Sequence, residues 1–143
     1  MFFNHPVLGE LYPEDVDWCT DKVEVTFHEA PIQVCLANGT DDGPSGRANA
    51  GYGWIAANWG EVLQTVEDQA FEFYRPYADA VASVPSFRQP SDLWGTERLL
   101  SLRIFAADDF TVTLRFDWQE PDDPHEITFY VEDGICNTYT ADG

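Results

Sequence analysis

The feature that most constrains the fold is a strict alternation of apolar and polar residues through the last third of the chain. Leu100, Leu102 and Ile104 alternate with Ser101 and Arg103. After a turn at Ala107-Asp108-Asp109, Phe110, Val112, Leu114, Phe116 and Trp118 alternate with Thr111, Thr113, Arg115 and Asp117. A period of two puts successive side chains on opposite faces of an extended strand, so these runs predict strands with one face in a core and one in water. The loop Glu120-Pro121-Asp122-Asp123-Pro124 leads to Ile127, Phe129 and Val131. Asp133-Gly134 is a strong hairpin signal, and Ile135 to Tyr139 supplies a last strand. Such a meander needs a cover for its apolar face.

The middle of the chain offers one. Val62, Val66, Ala70, Phe73, Tyr77, Val81 and Val84 recur at intervals of three and four, the stripe of an amphipathic helix. Asn58 followed by Glu61 has capping-box spacing and marks its start. Pro76 removes a helical hydrogen bond, which predicts a kink or a split near Arg75-Pro76. Upstream, Val23, Val25 and Phe27, a turn at Glu29-Ala30-Pro31, then Ile32, Val34 and Leu36 read as an antiparallel hairpin. The predicted fold is a single α+β domain over residues 1–143. Its antiparallel sheet, an N-terminal hairpin plus a C-terminal meander, is covered by a kinked or split central helix.

Charge narrows the function. Asp and Glu number 26 against 7 Lys and Arg, a formal net charge of -19, in a chain 44% hydrophobic and 15% aromatic. So many aromatic residues supply a core, which excludes disorder; the anionic surface repels nucleic acid and anionic membranes and favours a basic partner. No apolar run is long enough for a transmembrane helix, and the first residues lack the basic and apolar regions of a secretory signal. Cys19, Cys35 and Cys136 are odd in number and lack CxxC spacing, which predicts reduced thiols and a cytoplasmic location.

Catalytic signatures are missing from the residue pattern. Cys19, His28, Cys35 and Cys136 match no zinc spacing, and the pairs Asp41-Asp42 and Asp122-Asp123 lie in no calcium-loop pattern. The GTDDGPSG run is not a phosphate loop, and the serines sit in no nucleophile motif. The expectation is a protein with no catalytic residues, no metal and no cofactor. Asp41, Asp42, Asp108, Asp109, Glu120, Asp122 and Asp123 are the candidate partner-facing groups. Five tryptophans, some of them in the core, could anchor such a partner where they are exposed.

Several segments together carry a family likeness: HPVLGELY, a Trp before DKVEVTF, PIQVCLA, NWGEVLQTVEDQAFEFYRPYADAV and the closing FDWQEPDDPHEITFYVEDGICNTYTADG. The chain resembles the small bacterial domains typified by the DUF2262 and DUF6985 groups. That resemblance implies an immunity protein of a polymorphic toxin system, neutralising a cognate toxin by occluding its basic cleft. Two other readings stand beside it. One is a nucleic-acid mimic, with Glu61, Glu67, Asp68, Glu72 and Asp79 as its carboxylate row, inhibiting a DNA-processing or defence protein. The other is an enzyme or small-molecule binder using a pocket between helix and sheet.

Overall fold

The computed structural model describes residues 2–80, 89, 91, 97–116 and 125–142. Ten elements follow in order: β1 (Phe3–His5), β2 (Gly9–Glu14), β3 (Asp17–Cys19), β4 (Gln33–Leu36), α1 (Gly46–Ala57), α2 (Trp59–Ala80), β5 (Glu97–Ala106), β6 (Asp109–Phe116), β7 (His125–Glu132) and β8 (Ile135–Asp142). The strands form one eight-stranded sheet in sequence order. Every neighbouring pair is antiparallel except β4 and β5, which run parallel with Leu36 opposite Ile104.

This corrects the predicted architecture. The protein is dominated by a single mixed sheet, not by an antiparallel sheet under one long helix. Its two helices dock at separate places, α1 against β4 and β5 and α2 against β8. The parallel pair follows from placing the helices between β4 and β5: a helical crossover returns the chain in the direction it left. Period-two alternation is the same for parallel and antiparallel strands, so the residue pattern did not carry this distinction.

The N-terminal hairpin is also revised. Val23 and Ile32 form only an isolated bridge, and β4 pairs instead with β3, Cys19 opposite Cys35. Val25 and Phe27 alternate because they pack on the core, not because they sit in a ladder. The Phe27 ring lies 4.9 Å from Trp59 and 5.9 Å from Tyr52, both buried side chains of the helical region. The HPVLGELY segment, for its part, is a hairpin of β1 and β2. Its turn is locked by His5: Nδ1 accepts from the backbone N–H of Val7 and Leu8, and Nε2 donates to Asn49 Oδ1.

The helix break falls at Asn58, not at Pro76. Helix α2 starts at Trp59, next to the Asn58 that the capping pattern marks; the separate helix α1 precedes it, capped by Ser45, which in extended backbone accepts from Ala48 N–H. Asn58 closes α1: its backbone N–H and its side-chain amide both donate to the Trp54 carbonyl. α2 then runs across Pro76 as one element to Ala80. Val62, Val66 and Ala70 are buried as the stripe predicts, and Glu61 in the first turn complements the helix dipole.

In the meander Leu102, Ile104, Phe110, Val112, Leu114, Ile127, Phe129 and Val131 form one core with α1, α2, Leu11, Trp18, Ile32, Val34 and Leu36. One strand position departs from the alternation. A register shift between Leu99 and Ser101 turns Leu99 into the core and leaves Leu100 half-buried on the opposite face. Asp133-Gly134 forms the expected tight turn, both residues at positive φ (52° and 78°).

Cys19 and Cys35 are joined by a disulfide, which corrects the expectation of reduced thiols and removes its support for a cytoplasmic location. Cys136 is free, and burial pushes its thiol up to about 12. No helix among the described residues is long and apolar enough to cross a membrane.

Candidate functional site at one end of the sheet

Four tight connections meet at one end of the sheet. Because β4 and β5 are parallel, the chain leaves both at the same end, where Ala37 N–H donates to the Ile104 carbonyl. The β2–β3 turn is tied to the loop after β4 by Gly39 N–H to the Val16 carbonyl (2.7 Å). The β7–β8 turn is tied to the β5–β6 turn by Asp133 N–H to the Asp108 carbonyl (2.9 Å). Asp15, Asn38 and Asp133, at positive φ of 60°, 58° and 52°, all lie here. Asp and Asn tolerate this left-handed backbone better than other non-glycine residues, so turn geometry itself selects acidic side chains at this end.

The result is a concentration of carboxylates. Asp41 and Asp42 are exposed in the turn closed by Thr40 and Gly43, with Asp42 N–H donating to Thr40 Oγ1. Asp108 is exposed in the β5–β6 turn. Asp109 opens β6 and accepts a hydrogen bond from the Tyr130 hydroxyl. That bond holds the Tyr130 proton on and raises its pKa above the ordinary phenol value. Glu14, Asp15, Asp17, Glu132 and Asp133 belong to the same end. The structure thus gathers Asp41, Asp42, Asp108 and Asp109 at one sheet end. Glu120, Asp122 and Asp123 lie outside the described residues.

Beside the β5–β6 and β7–β8 turns opens a cleft of about 590 Å³ between α1, the start of α2 and the strand ends. Ala50, Gly51, Trp54, Val62, Phe110 and Val131 supply its apolar lining; Arg47, Glu61, Thr65 and Asp108 supply its polar groups. Gly51 makes the cleft possible. A Cβ there would stand 2.6 Å from the Ala106 carbonyl carbon, so only glycine lets α1 lie this close to the β5–β6 turn. Trp54, one helical turn on, is 41% exposed, whereas Trp18 and Trp59 are buried at 3% and 9%. Trp94 and Trp118 lie outside the described residues. Ile135, next to the cleft-lining Gly134, is 64% exposed.

Trp54, Arg47 and Glu61 were not singled out for this site by the residue pattern. The available signal was the run of small residues in GRANAGYGW, which marks a helix face closely approached by backbone.

Other reactive groups are already engaged. The His28 ring sits edge-on to Trp59 at 5.5 Å, and desolvation lowers its pKa despite the neighbouring Glu29. Glu14, Cys19 and Cys35 place their ligand atoms within 4.8 Å of one another, but a disulfide offers no thiolates to a metal.

Fold and site together define a sheet-dominated domain with an acidic, partly apolar end. The chain belongs to the family described as domain of unknown function DUF6985, whose model matches residues 7–129. No curated protein and no solved structure matches it.

Proposed function

We propose that this protein is a non-enzymatic binding domain whose acidic sheet end docks a basic protein, with the Trp54 cleft as its anchor point. One observation carries the reading: carboxylate-bearing turns from four distant parts of the chain lie at one sheet end, and there the β5–β6 and β7–β8 turns adjoin an exposed Trp54 and an apolar cleft lined by Glu61 and Asp108. Acidic rims speed encounter with a cationic partner, and a desolvated aromatic anchor sets how slowly it leaves. A partner Arg or Lys side chain fits such a cleft, its stem along Val62 and Ala50 and its charge toward Glu61 and Asp108. In its specific form the proposal is immunity: the partner is a cognate toxin whose basic cleft is occluded. A cytoplasmic setting belongs to that form and requires the Cys19–Cys35 bond either to survive the reducing pool or to open there without loss of binding.

The nucleic-acid mimic is the weaker alternative. Of that row Glu61, Asp68 and Glu72 are exposed on α2, Glu67 is half-buried and the Asp79 side chain lies outside those described; at 1.5 Å per residue the three exposed groups stand about 10 Å and 6 Å apart along the axis. Phosphates advance ~3.4 Å per strand step.

The test is capture of partners from the native organism with the tagged protein, eluted by salt, alongside Trp54→Ala and Asp108→Lys variants. A basic partner lost with Trp54→Ala at unchanged stability, a drop of about 2 kcal/mol in binding, supports the site. Retention by both variants removes it. Competition by duplex DNA transfers the weight to mimicry.

A further inference from the structure

The face of the sheet turned away from α1 and α2 carries a different chemistry. Gln33, Ser101, Thr113 and Thr128 stand side by side across β4 to β7, and the Thr113 and Thr128 hydroxyls hydrogen bond at 2.9 Å. They form the floor shared by two adjoining hollows of about 540 Å³ and 340 Å³. Cations gather here in a chain that has few. The structure describes four Lys and Arg side chains, Lys22, Arg47, Arg103 and Arg115, and all but Arg47 line these hollows.

Arg103 is answered by Asp17, its Nε 2.7 Å from Oδ2 and its Nη2 3.3 Å from Oδ1. Arg115 is not. Among the described residues, its Nε is buried without a hydrogen-bond partner. Its neighbour on β7, Glu126, is exposed. A buried N–H without an acceptor keeps its full desolvation cost. That penalty falls away when an oxyanion sits against the guanidinium edge.

We infer that the larger hollow is a binding site for a compact polar molecule carrying one oxyanion, held by Arg115 and Lys22. Gln33, Ser101 and Thr113 supply neutral hydrogen bonds along its body. The rim decides its size and sign. Asp21 and Glu126 also line the hollow, and with the surrounding anionic surface they repel nucleic acid or an acidic peptide. They favour a molecule with ammonium or hydroxyl donors beside its oxyanion, such as an amino acid, a hydroxy acid or a sugar phosphate. This site is independent of the acidic end and does not rest on partner docking there.

The experiment is titration of the full chain at fixed ionic strength with inorganic phosphate and, separately, with L-serine, following the Arg115 Nε–H by proton–nitrogen NMR. The expected result is a saturable shift of that resonance with at least one probe; the stronger probe tells phosphoryl from carboxylate chemistry. Lys22→Gln, a change at an exposed side chain, should weaken it about tenfold, the loss of one charge-assisted contact. Arg115→Lys should abolish saturable binding, read from the shifts of Thr113 and Thr128. The proposal is overturned if neither probe gives a saturable shift, or if binding is unchanged in Lys22→Gln.

Discussion

The two faces of the β5–β6–β7 sheet are built from the same strands, one residue out of phase, and they do different work. On the face that meets the helices, Leu102, Phe110, Leu114, Ile127 and Phe129 are fully or almost fully buried in one apolar cluster. On the other, Ser101, Arg103, Thr113, Arg115 and Thr128 form a polar floor under open hollows. The first face holds the fold together through apolar area removed from water. The second contributes hydrogen-bonding side chains at fixed register, with little apolar burial of its own. A single strand thus separates stability from chemistry.

The largest test of this division sets adjacent residues against each other. Phe129→Ala should lower the unfolding free energy by about 3–5 kcal/mol in urea denaturation, whereas Thr128→Ala should cost about 1 kcal/mol or less. Equal losses would mean that the polar face is packed as tightly as the core.

The disulfide is the next lever, because it lies on the polar side of β3 and β4 and spans 16 residues. Closing a loop of that length stabilises by about 3 kcal/mol in the chain-entropy view, so reduction should lower stability by about 2–3 kcal/mol. Thiol counting checks the chemistry directly: one reactive thiol, Cys136, in the denatured unreduced protein, and all three cysteines after reduction. In the native protein Cys136 should label slowly near neutral pH, since burial keeps it protonated up to about 12.

A third comparison sharpens how the helix approaches the sheet. Gly51→Ala pushes a methyl group into the Ala106–Ala107 backbone and should cost about 1–3 kcal/mol while reshaping the Trp54 cleft. Gly53→Ala, in the same helix with open space around it, should instead stabilise by up to about 1 kcal/mol. Thermal denaturation of the pair separates close approach from helix propensity.

The smallest effect is a pH dependence. His28 has its pKa lowered in the folded state by burial against Trp59, so the unfolded chain binds the extra proton first. Its contribution to stability is full above the free value of 6.5 and falls as pH drops through and below it. His28→Gln should flatten that part of the stability profile relative to the unmodified protein. An unchanged slope would show that the ring does not titrate across folding.

Much of this was legible in the residues, and the reasons differ by element. The faces of β6 and β7 follow from local alternation, the α2 stripe from its 3.6-residue period, and the β7–β8 turn from Asp133-Gly134 chemistry. The candidate site was legible only in pieces. Asp41, Asp42, Asp108 and Asp109 were visible as acidic turns, but their convergence depends on β4 and β5 running parallel. Trp54 could not be told from Trp18 and Trp59, because exposure is set by neighbours distant in the chain.

The sequence by itself determined which side of each meander strand is apolar, where the chain turns tightly, and that its surface is anionic. These are properties of residues within a few positions of one another, or of composition. Tertiary structure alone decided the parallel β4–β5 pair, the Cys19–Cys35 bond and the gathering of cations on the face turned away from the helices. Each of those depends on which distant segments meet. Pairing direction and register leave no trace in the period of a single strand; they are chosen by the packing of the whole.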